Sequence, residues 1–187
     1  MTVLRDDLLL GTAIALAGGV PATIRGAITG AGATVEELES GLDEEGAEDW
    51  ARARVPLQAL ASDSRPAFAA GGAEALRIAL EQAWTSTRAV ANGAFIPSRQ
   101  GGKIVLLAPS PDAGDHAEAA RSALENLART LSVEWARHAV SITAVMPGQR
   151  TTDEELAELV CFLVSPAGSY FSGCRLDLGT VPVRNPR

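Results

Sequence analysis

Short apolar runs alternate with longer amphipathic segments along the chain. The runs Thr12–Ala17, Lys103–Ala108 and Val140–Met146 are each followed by Gly or Pro, and this pattern predicts three buried strands. A fourth candidate strand is Cys174–Leu178. Nearly continuous apolar runs are typical of strands that helices cover on both faces. The alternation therefore predicts an α/β fold with a single Rossmann-like, doubly wound and mainly parallel sheet.

The longest amphipathic segment, Asp115–His138, predicts a helix with one apolar face. Apolar residues recur there at spacings of three and four, which is the period of an α-helix. Asp115 followed three residues later by Glu118 predicts a capping box at the start of this helix. The predicted apolar face consists of Ala117, Ala120, Leu124, Leu127, Leu131 and Trp135.

Two further helices and one acidic segment complete the pattern. Ala73–Asn92 predicts a second long helix, and Asp153–Val164 predicts a third. Val35–Trp50 contains eight of the 23 acidic residues and no basic residue. Such a segment is typical of a solvated, partly helical connector, and the alternative is a docking surface for a basic partner. The second helix is predicted to carry on its apolar side Leu76, Leu80, Trp84 and Thr87.

Composition narrows the class of protein. The chain has 187 residues, 47% of them hydrophobic, and 16 basic against 23 acidic side chains give a net charge of −7. This length and apolar fraction predict one domain over residues 1–187, with a tail from about residue 181 that we expect to be loose. The chain is acidic, and its sequence has no cluster of basic residues of the kind that binds nucleic acid. We therefore expect no nucleic-acid partner.

The cysteines and the N-terminal segment indicate the cellular compartment of the protein. Cys161 and Cys174 lie in apolar runs without nearby Cys or His, so we expect reduced thiols and no metal site. Leu8–Ala17 resembles the apolar core of a signal peptide, but Asp6 and Asp7 oppose the positive charge that such a leader requires. Its apolar run is too short to span a bilayer. These features predict a cytoplasmic protein with no membrane association.

The second half of the chain resembles the short-chain dehydrogenases/reductases, in particular those of the ketoacyl-reductase type. Gly102–Ser110 (GKIVLLAPS) is similar to the family's G-x-I-V-N-I-S-S strand, and Arg121–Ala136 is similar to its K-A-A-L…L-A-x-E-x-A helix. Val140–Gly148 (VSITAVMPG) resembles its I-R-V-N-A-V-x-P-G strand, and Asp153–Asp177 resembles its closing helix, loop and strand. The motifs follow one another in the family's order over about residues 73–179. The resemblance implies a Rossmann-like fold.

The resemblance places the family's catalytic pair on residues that lack the required chemistry. In the family a Tyr exchanges the proton, and a Lys four residues later lowers the pKa of that Tyr and contacts the nicotinamide ribose. The motif puts Arg121 at the Lys position and Ala117 at the Tyr position. A methyl group supplies no general acid or base, which is a contribution of roughly 10²–10⁴-fold in rate. A guanidinium differs from an ammonium in shape and stays charged.

Neighbouring side chains offer only partial substitutes. His116 lies five residues before Arg121, a rotation of about 140° around a helix, so the two side chains are predicted to face different sides. The family's carbonyl-polarising Ser matches Pro109, and a slip of one residue would bring Ser110 to that position. The sequence therefore predicts no complete catalytic site.

The nucleotide end of the resemblance is also incomplete. The family's T-G-x-x-x-G-x-G turn lets the backbone approach a pyrophosphate at a helix N-terminus. Ala17–Ile24 (AGGVPATI) keeps Gly18 and Gly19, but Pro21 stands where the third Gly is expected. Proline removes an N–H and adds bulk at that point. We therefore expect no bound cofactor, with NAD(P) as the alternative, and a plain turn is the simpler role for the two glycines.

The remaining differences fall on loops that hold ligands in the family. No N-N-A-G-like turn is found, and only Gln149–Thr152 stands where the family carries its substrate-covering loop. The long helices are retained, and the resemblance implies that they pack against a neighbouring subunit. Trp is enriched at the centres of interfaces, and Trp84 and Trp135 fit either an interface or the core of the chain itself. The expected interface residues are Trp84, Arg88, Leu131 and Trp135.

The leading hypothesis is a non-catalytic homologue that acts as a structural or regulatory subunit. It would form a homo-oligomer, or a hetero-oligomer with an active reductase of the same family. The alternative is a weak or atypical NAD(P)-dependent oxidoreductase that uses Ser110, His116 or Arg121. A ligand sensor that kept a pocket without turnover is a third possibility.

Overall fold

Six parallel strands form one sheet in the order β2-β1-β3-β4-β5-β6. The computed structural model describes residues 7–54 and 56–179, and the tail predicted from about residue 181 lies outside them. Parallel neighbours need crossover connections, which here are helical. The predicted doubly wound, parallel α/β sheet is confirmed. The strands are β1 (Ala13–Ala17), β2 (Thr34–Glu37), β3 (Ala59–Asp63), β4 (Gly102–Leu107), β5 (Val140–Met146) and β6 (Cys174–Asp177).

Helices cover both faces of the sheet. They are α1 (Ala22–Gly30), α2 (Glu44–Arg52), α3 (Arg65–Phe68), α4 (Gly72–Val90), α5 (Ile96–Ser98), α6 (Ala117–Glu134) and α7 (Asp153–Val164). Helices α1 and α7 pack together on one face of the sheet, and α2, α4 and α6 lie on the other face. Shorter turns are a π-helix at Ala91–Phe95 and 3-10 helices at Ala136–His138 and Pro166–Tyr170.

Each face of the sheet has its own apolar core. In β4, Val105 and Leu107 pack toward α1 and α7, whereas Ile104 and Leu106 pack toward α4 and α6. Successive side chains of a strand point to opposite faces, so a strand between two helical layers needs apolar residues at consecutive positions. This explains why β4 and β5 could be recognised as unbroken apolar runs.

Two strands differ from this pattern and were not predicted. β2 lies at the edge of the sheet, pairs only with β1, and carries Glu36 and Glu37. β3 lies between β1 and β4 and is buried at every position, but its sequence ALASD consists mostly of small residues. The segment Val35–Trp50 is therefore not simply a connector, because it contains most of β2 and most of α2.

The predicted apolar side of α4 is offset by one residue. Leu76 and Leu80 are half-buried, and Trp84 is 39% exposed. Small side chains let a helix approach a sheet closely, so the contact is made by alanines and the larger residues cover its margin. The spacing of large apolar residues alone could not show this. The side that is buried consists of Ala75, Ala79, Ala83, Ser86, Thr87, Ala89 and Val90.

The start of α6 also differs from the prediction. The helix begins at Ala117, and its N-cap is His116 without a side-chain hydrogen bond. The capping box predicted for Asp115 and Glu118 is therefore wrong. The predicted apolar face of the helix is otherwise confirmed, with Leu127 half-buried and the other members buried.

A reciprocal capping box instead starts α7, which has the predicted bounds. Thr152 Oγ1 accepts a hydrogen bond from the Glu155 N–H at 3.2 Å, and Glu155 Oε2 accepts one from the Thr152 N–H at 2.9 Å. Acidic side chains in the first turn also favour the positive end of the helix dipole. This cap fixes the place where the chain turns back from β5.

We expect Thr152→Ala to lower the free energy of unfolding by about 1 kcal/mol, because the orphan N–H of the first turn loses its acceptor. Urea denaturation followed by circular dichroism measures this change. Thr23→Ala is the matched control, since Thr23 is exposed in the first turn of α1 and makes no side-chain hydrogen bond within the described residues. Equal effects of the two substitutions would contradict the capping role.

Candidate functional site

The carboxyl ends of β1 and β3 meet where the strand order reverses. α1 leads from β1 to β2 on one side, and β3 pairs with β1 on the other. In open α/β sheets, ligands bind in the crevice at such a switch point. The residues matched to the nucleotide and catalytic positions all follow carboxyl ends of strands. This edge of the sheet is therefore the candidate site.

The turn after β1 packs directly on the turn after β3. Gly18 and Gly19 have left-handed φ angles of 81° and 80°. A Cβ on Gly18 would lie 2.1 Å from the Asp63 carbonyl oxygen, and a Cβ on Gly19 would lie 3.6 Å from Pro66 Cγ. Pro21 is the N-cap of α1 and provides no side-chain hydrogen bond. The two glycines therefore allow a close approach of two backbone turns.

A network of ion pairs bridges the same crevice. Arg65 donates from Nε to Asp63 Oδ1 at 3.0 Å and from NH2 to Asp63 Oδ2 at 2.7 Å. Its NH1 donates to Asp153 Oδ1 at 2.8 Å. The Asp63 side chain is fully buried. Arg65 thus ties the end of β3 to the start of α7.

Burial and ion pairing have opposite effects on the pKa values of Asp63 and Arg65. Burial raises the pKa of the Asp63 carboxyl, while hydrogen bonds from Arg65 act in the opposite direction. Burial acts to lower the pKa of the Arg65 guanidinium, but its bonds to Asp63 and Asp153 raise that pKa above the ordinary value. Arg65 therefore stays charged and keeps Asp63 partnered, so neither group is a free acid or base.

The sequence analysis missed this network. Its signal was the segment Ser62–Pro66 (SDSRP), which begins with the last two residues of the small-residue strand β3. A paired acid and base two residues apart is a common surface pattern, and only the fold brings Asp153 to it.

Ala117, at the position of the family's Tyr, belongs to a small apolar cluster. It is buried and packs with Phe68, Ala79 and Ala120. Phe68 ends α3 and is itself 2% exposed. This point of the fold is therefore apolar core, without a titratable side chain.

Arg121, at the position of the family's Lys, is a buried clamp. Its NH1 donates to the carbonyl oxygens of Pro109 and Pro147, each at 2.8 Å. Its NH2 lies 3.7 Å from Asp177 Oδ2, and its Nε makes no hydrogen bond but lies 3.3 Å from Glu118 Oε1. The side chain is 4% exposed. One guanidinium therefore links the segments that follow β4 and β5 and lies near the end of β6.

The other candidate catalytic residues are Pro109, Ser110 and His116. Pro109 is buried and contributes its carbonyl oxygen to Arg121. Ser110 is half-buried, and its hydroxyl makes no hydrogen bond within the described residues. His116 is half-buried at the N-cap of α6 and is not among the hydrogen-bond partners of Arg121. Within the described residues, no hydrogen bond joins Ser110, His116 and Arg121 to one another.

The four predicted interface residues divide into two pairs. Leu131 and Trp135 are 3% and 8% exposed and belong to the core beneath α6, so their assignment to a surface is corrected. Trp84 Nε1 donates to Glu44 Oε1 at 3.2 Å, and Arg88 forms an ion pair with the same carboxylate. Trp84 and Arg88 stay partly exposed on the outer side of α4.

One small cavity lies where β1 and β2 end. Its volume is about 230 Å³, and its lining includes Gly18, Glu39, Gln82 and Ser86. Gln82 Oε1 is buried there without a hydrogen-bond partner. Ligand pockets generally have volumes of about 300–1,000 Å³. This cavity is smaller than that range, and Gly18 packs against the Asp63 backbone beside it.

The described part of the chain offers neither a metal centre nor a membrane span. Among residues 7–54 and 56–179, no three His, Cys, Asp or Glu side chains converge on a possible metal position. No helix in those ranges is both long and apolar enough to cross a bilayer. Cys161 and Cys174 are free thiols, and burial raises the pKa of the Cys161 thiol to about 11.

The whole fold is similar to solved dehydrogenase structures. A short chain dehydrogenase from Mycobacterium smegmatis has a TM-score of 0.76 and 19% identity, over 96% of each chain. A hydroxysteroid dehydrogenase from Escherichia coli has a TM-score of 0.73 and 16% identity, over 93% of this chain and 98% of that chain. A putative NAD(P)-dependent gluconate 5-dehydrogenase from Beutenbergia cavernae, with bound NADP, has a TM-score of 0.72 and 19% identity, over 94% and 98%. No family model matches the sequence.

The chain therefore has the fold of the short-chain dehydrogenases/reductases, as the sequence resemblance implied. The particular chemistry of this chain depends on the residues at the carboxyl edge.

We expect Gly18→Ala to lower the free energy of unfolding by about 3 kcal/mol, because the new Cβ overlaps the Asp63 carbonyl and an L-residue is strained at this φ. Gly26→Ala is the control, since a Cβ on Gly26 in α1 meets nothing within 4 Å. There we expect a gain of about 1 kcal/mol from helix propensity. Chemical denaturation of both variants measures their free energies of unfolding. If Gly18→Ala leaves the free energy of unfolding unchanged, the two turns are not packed together.

We expect Arg121→Met to lower the free energy of unfolding by about 3 kcal/mol, because two buried carbonyl oxygens lose their donor. Arg129→Met on the same helix removes an exposed pair with Glu125 and should change it by about 0.5 kcal/mol or less. Thermal and urea unfolding of the three proteins measure the difference. A stable Arg121→Met variant would contradict the clamp.

Proposed function

We propose that this chain is a non-catalytic member of the short-chain dehydrogenase/reductase family that acts in the cytoplasm as a structural or regulatory subunit. It associates with an active reductase of the same family, or with a second copy of itself, and works without NAD(P). The observation that carries this proposal is the engagement of Arg121 with two backbone carbonyls.

The first support is chemical. Reduction of a carbonyl needs a group that transfers a proton to the developing alkoxide, and this group must lie within hydrogen-bond reach of the substrate. Ala117 has no proton to give and lies under Phe68. Arg121 already donates to Pro109 and Pro147, so its NH1 is not directed at a ligand.

The second support is steric. A dinucleotide needs room for its pyrophosphate beside the turn after the first strand. In this chain the turn is in contact with the backbone of Asp63, and Arg65 spans from β3 to α7. Binding NAD(P) would require these contacts to separate.

The third support is the outer side of α2 and α4. Trp84 is 39% exposed and Leu42 is 36% exposed, while Glu44 holds both Trp84 and Arg88 in place. Trp and Arg are enriched at the centres of protein interfaces, and side chains that are already ordered lose less entropy on binding. This surface is the proposed contact with the other subunit.

A weak or atypical NAD(P)-dependent oxidoreductase is the second candidate. It is favoured by the likeness to a solved structure that has bound NADP, and by the free hydroxyl of Ser110. This reading requires the crevice between β1 and β3 to open in solution.

Titration calorimetry of the purified chain with NAD(H) and NADP(H) separates the two candidates. We expect no saturable binding up to about 1 mM, which corresponds to a binding free energy weaker than about 4 kcal/mol. Micromolar binding that Arg121→Ala abolishes, or hydride transfer by the isolated chain, would establish the second candidate instead.

Association is tested by light scattering of the chain alone and after co-expression with a reductase encoded beside it. We expect a defined oligomer that Trp84→Asp weakens by about tenfold or more. Tyr170→Asp is the matched control, because Tyr170 is 90% exposed on the 3-10 helix after α7. If the chain stays a monomer and binds none of the reductases tested, the subunit role is refuted.

A further inference from the structure

A second, larger cavity opens at the amino edge of the sheet, opposite the candidate site. Its volume is about 600 Å³, within the range of roughly 300–1,000 Å³ that ligand pockets occupy. Lys103 and Ser141, at the starts of β4 and β5, line it together with Ser132 of α6 and with Ser169 and Ser172 after α7. Neither the packing of the sheet nor the proposed subunit role uses this cavity.

Lys103 is the only lysine of the chain. It is half-buried, and in the register of the sheet it lies beside Ala59 of β3 and Ser141 of β5. Within the described residues its ammonium group makes no ion pair and no hydrogen bond. Burial lowers the pKa of this ammonium group. The cavity therefore contains a partly desolvated cation that has no partner from the described protein.

The other cations of the described residues do not share this situation. Nine arginines form ion pairs with carboxylates. Arg99, Arg137 and Arg150 form none, but these three are exposed, where water solvates a charge. Charges that leave water are ordinarily paired, because desolvation without a partner is costly. Among the residues that the structure describes, Lys103 therefore lacks the counter-ion that the buried and half-buried arginines have.

The lining of the cavity favours an anion. It contains no carboxylate, although the chain has 23 acidic residues and a net charge of −7. The hydroxyl groups of Thr12, Ser141, Ser169 and Ser172 make no hydrogen bond within the described residues. Hydroxyls and an ammonium group are the donors that bind phosphate and carboxylate oxygens.

We propose that the cavity binds a small organic oxyanion, a phosphate ester or a carboxylate, with its charged group on Lys103 and its remainder against the serine hydroxyls. The size of the cavity allows a ligand larger than a free ion. This site is separate from the carboxyl edge, so it does not depend on whether that edge is catalytic.

The test uses the single lysine as a spectroscopic probe. Reductive methylation with ¹³C-formaldehyde labels Lys103 and any free α-amino group, and the Lys103 NMR signal is assigned by its loss in Lys103→Met. This signal is then followed while phenyl phosphate, benzoate or inorganic phosphate is added. We expect a saturable shift with phenyl phosphate or with benzoate, and the one that binds identifies the class of oxyanion. Calorimetry on the unlabelled protein measures the same affinities.

Lys103→Met should weaken the binding of that probe by about tenfold or more, because a charge-assisted hydrogen bond is lost. Arg150→Met is the charge-matched control at the opposite edge and should leave the affinity unchanged. If Lys103→Met does not fold, Lys103→Gln and Ser141→Ala take its place, and each should weaken binding. The proposal is overturned if no organic probe saturates, if inorganic phosphate binds as tightly as phenyl phosphate, or if the Lys103 variants bind normally.

Discussion

The buried guanidinium of Arg121 holds together the carboxyl edge of the sheet. β4 and β5 are each followed within two residues by a proline, Pro109 and Pro147, and a proline has no N–H to continue a ladder of hydrogen bonds. The carbonyl oxygens of both prolines accept from the same NH1 of Arg121. A charge at 4% exposure must be well partnered, so these loops are fixed relative to one another by one side chain.

The shortness of the loop after β5 has a similar effect on the neighbouring crevice. Thr151 Oγ1 accepts from the Gly148 N–H at 2.8 Å, and the cap at Thr152 starts α7 immediately afterwards. Asp153 is thereby placed within reach of Arg65. A longer loop at this point would move the start of α7 and separate the pair. The short loop after β5 and the ion pair between Arg65 and Asp153 are thus two aspects of one arrangement.

Those parts of the fold that depend on hydrophobic pattern could be predicted from the sequence. β5 and α7 have the predicted bounds, and β4 differs by a single residue at each end, because unbroken apolar runs and strong helical periodicity are local signals. β3 was missed because Leu60 is its only large apolar residue and its other buried positions are Ala, Ser and Asp. The offset side of α4 was missed because alanines, and not its leucines, make the contact with the sheet.

The sequence could predict individual residues of the candidate site, but not the contacts between them. The motif predicted that Ala117 and Arg121 stand at the positions of the family's catalytic pair, but the carbonyl partners of Arg121 are 12 and 26 residues distant and required the fold. The ion pair between Arg65 and Asp153 spans 88 residues. Likewise, periodicity could not decide whether Trp135 faces the core or a partner, because both arrangements have the same spacing.

The acidic edge strand also restricts how copies of the chain can meet. Among the described strands, β2 leaves one side of its backbone unpaired, and such edges tend to join with the edge of another molecule. Glu37 is held by Arg25, and Glu36 by Arg54, so long charged side chains flank the open hydrogen-bonding groups. Alignment of two such strands would crowd glutamates of both molecules and disturb their arginines. A continuous sheet across two molecules is therefore disfavoured at this edge, which guards against fibrous aggregation through β2.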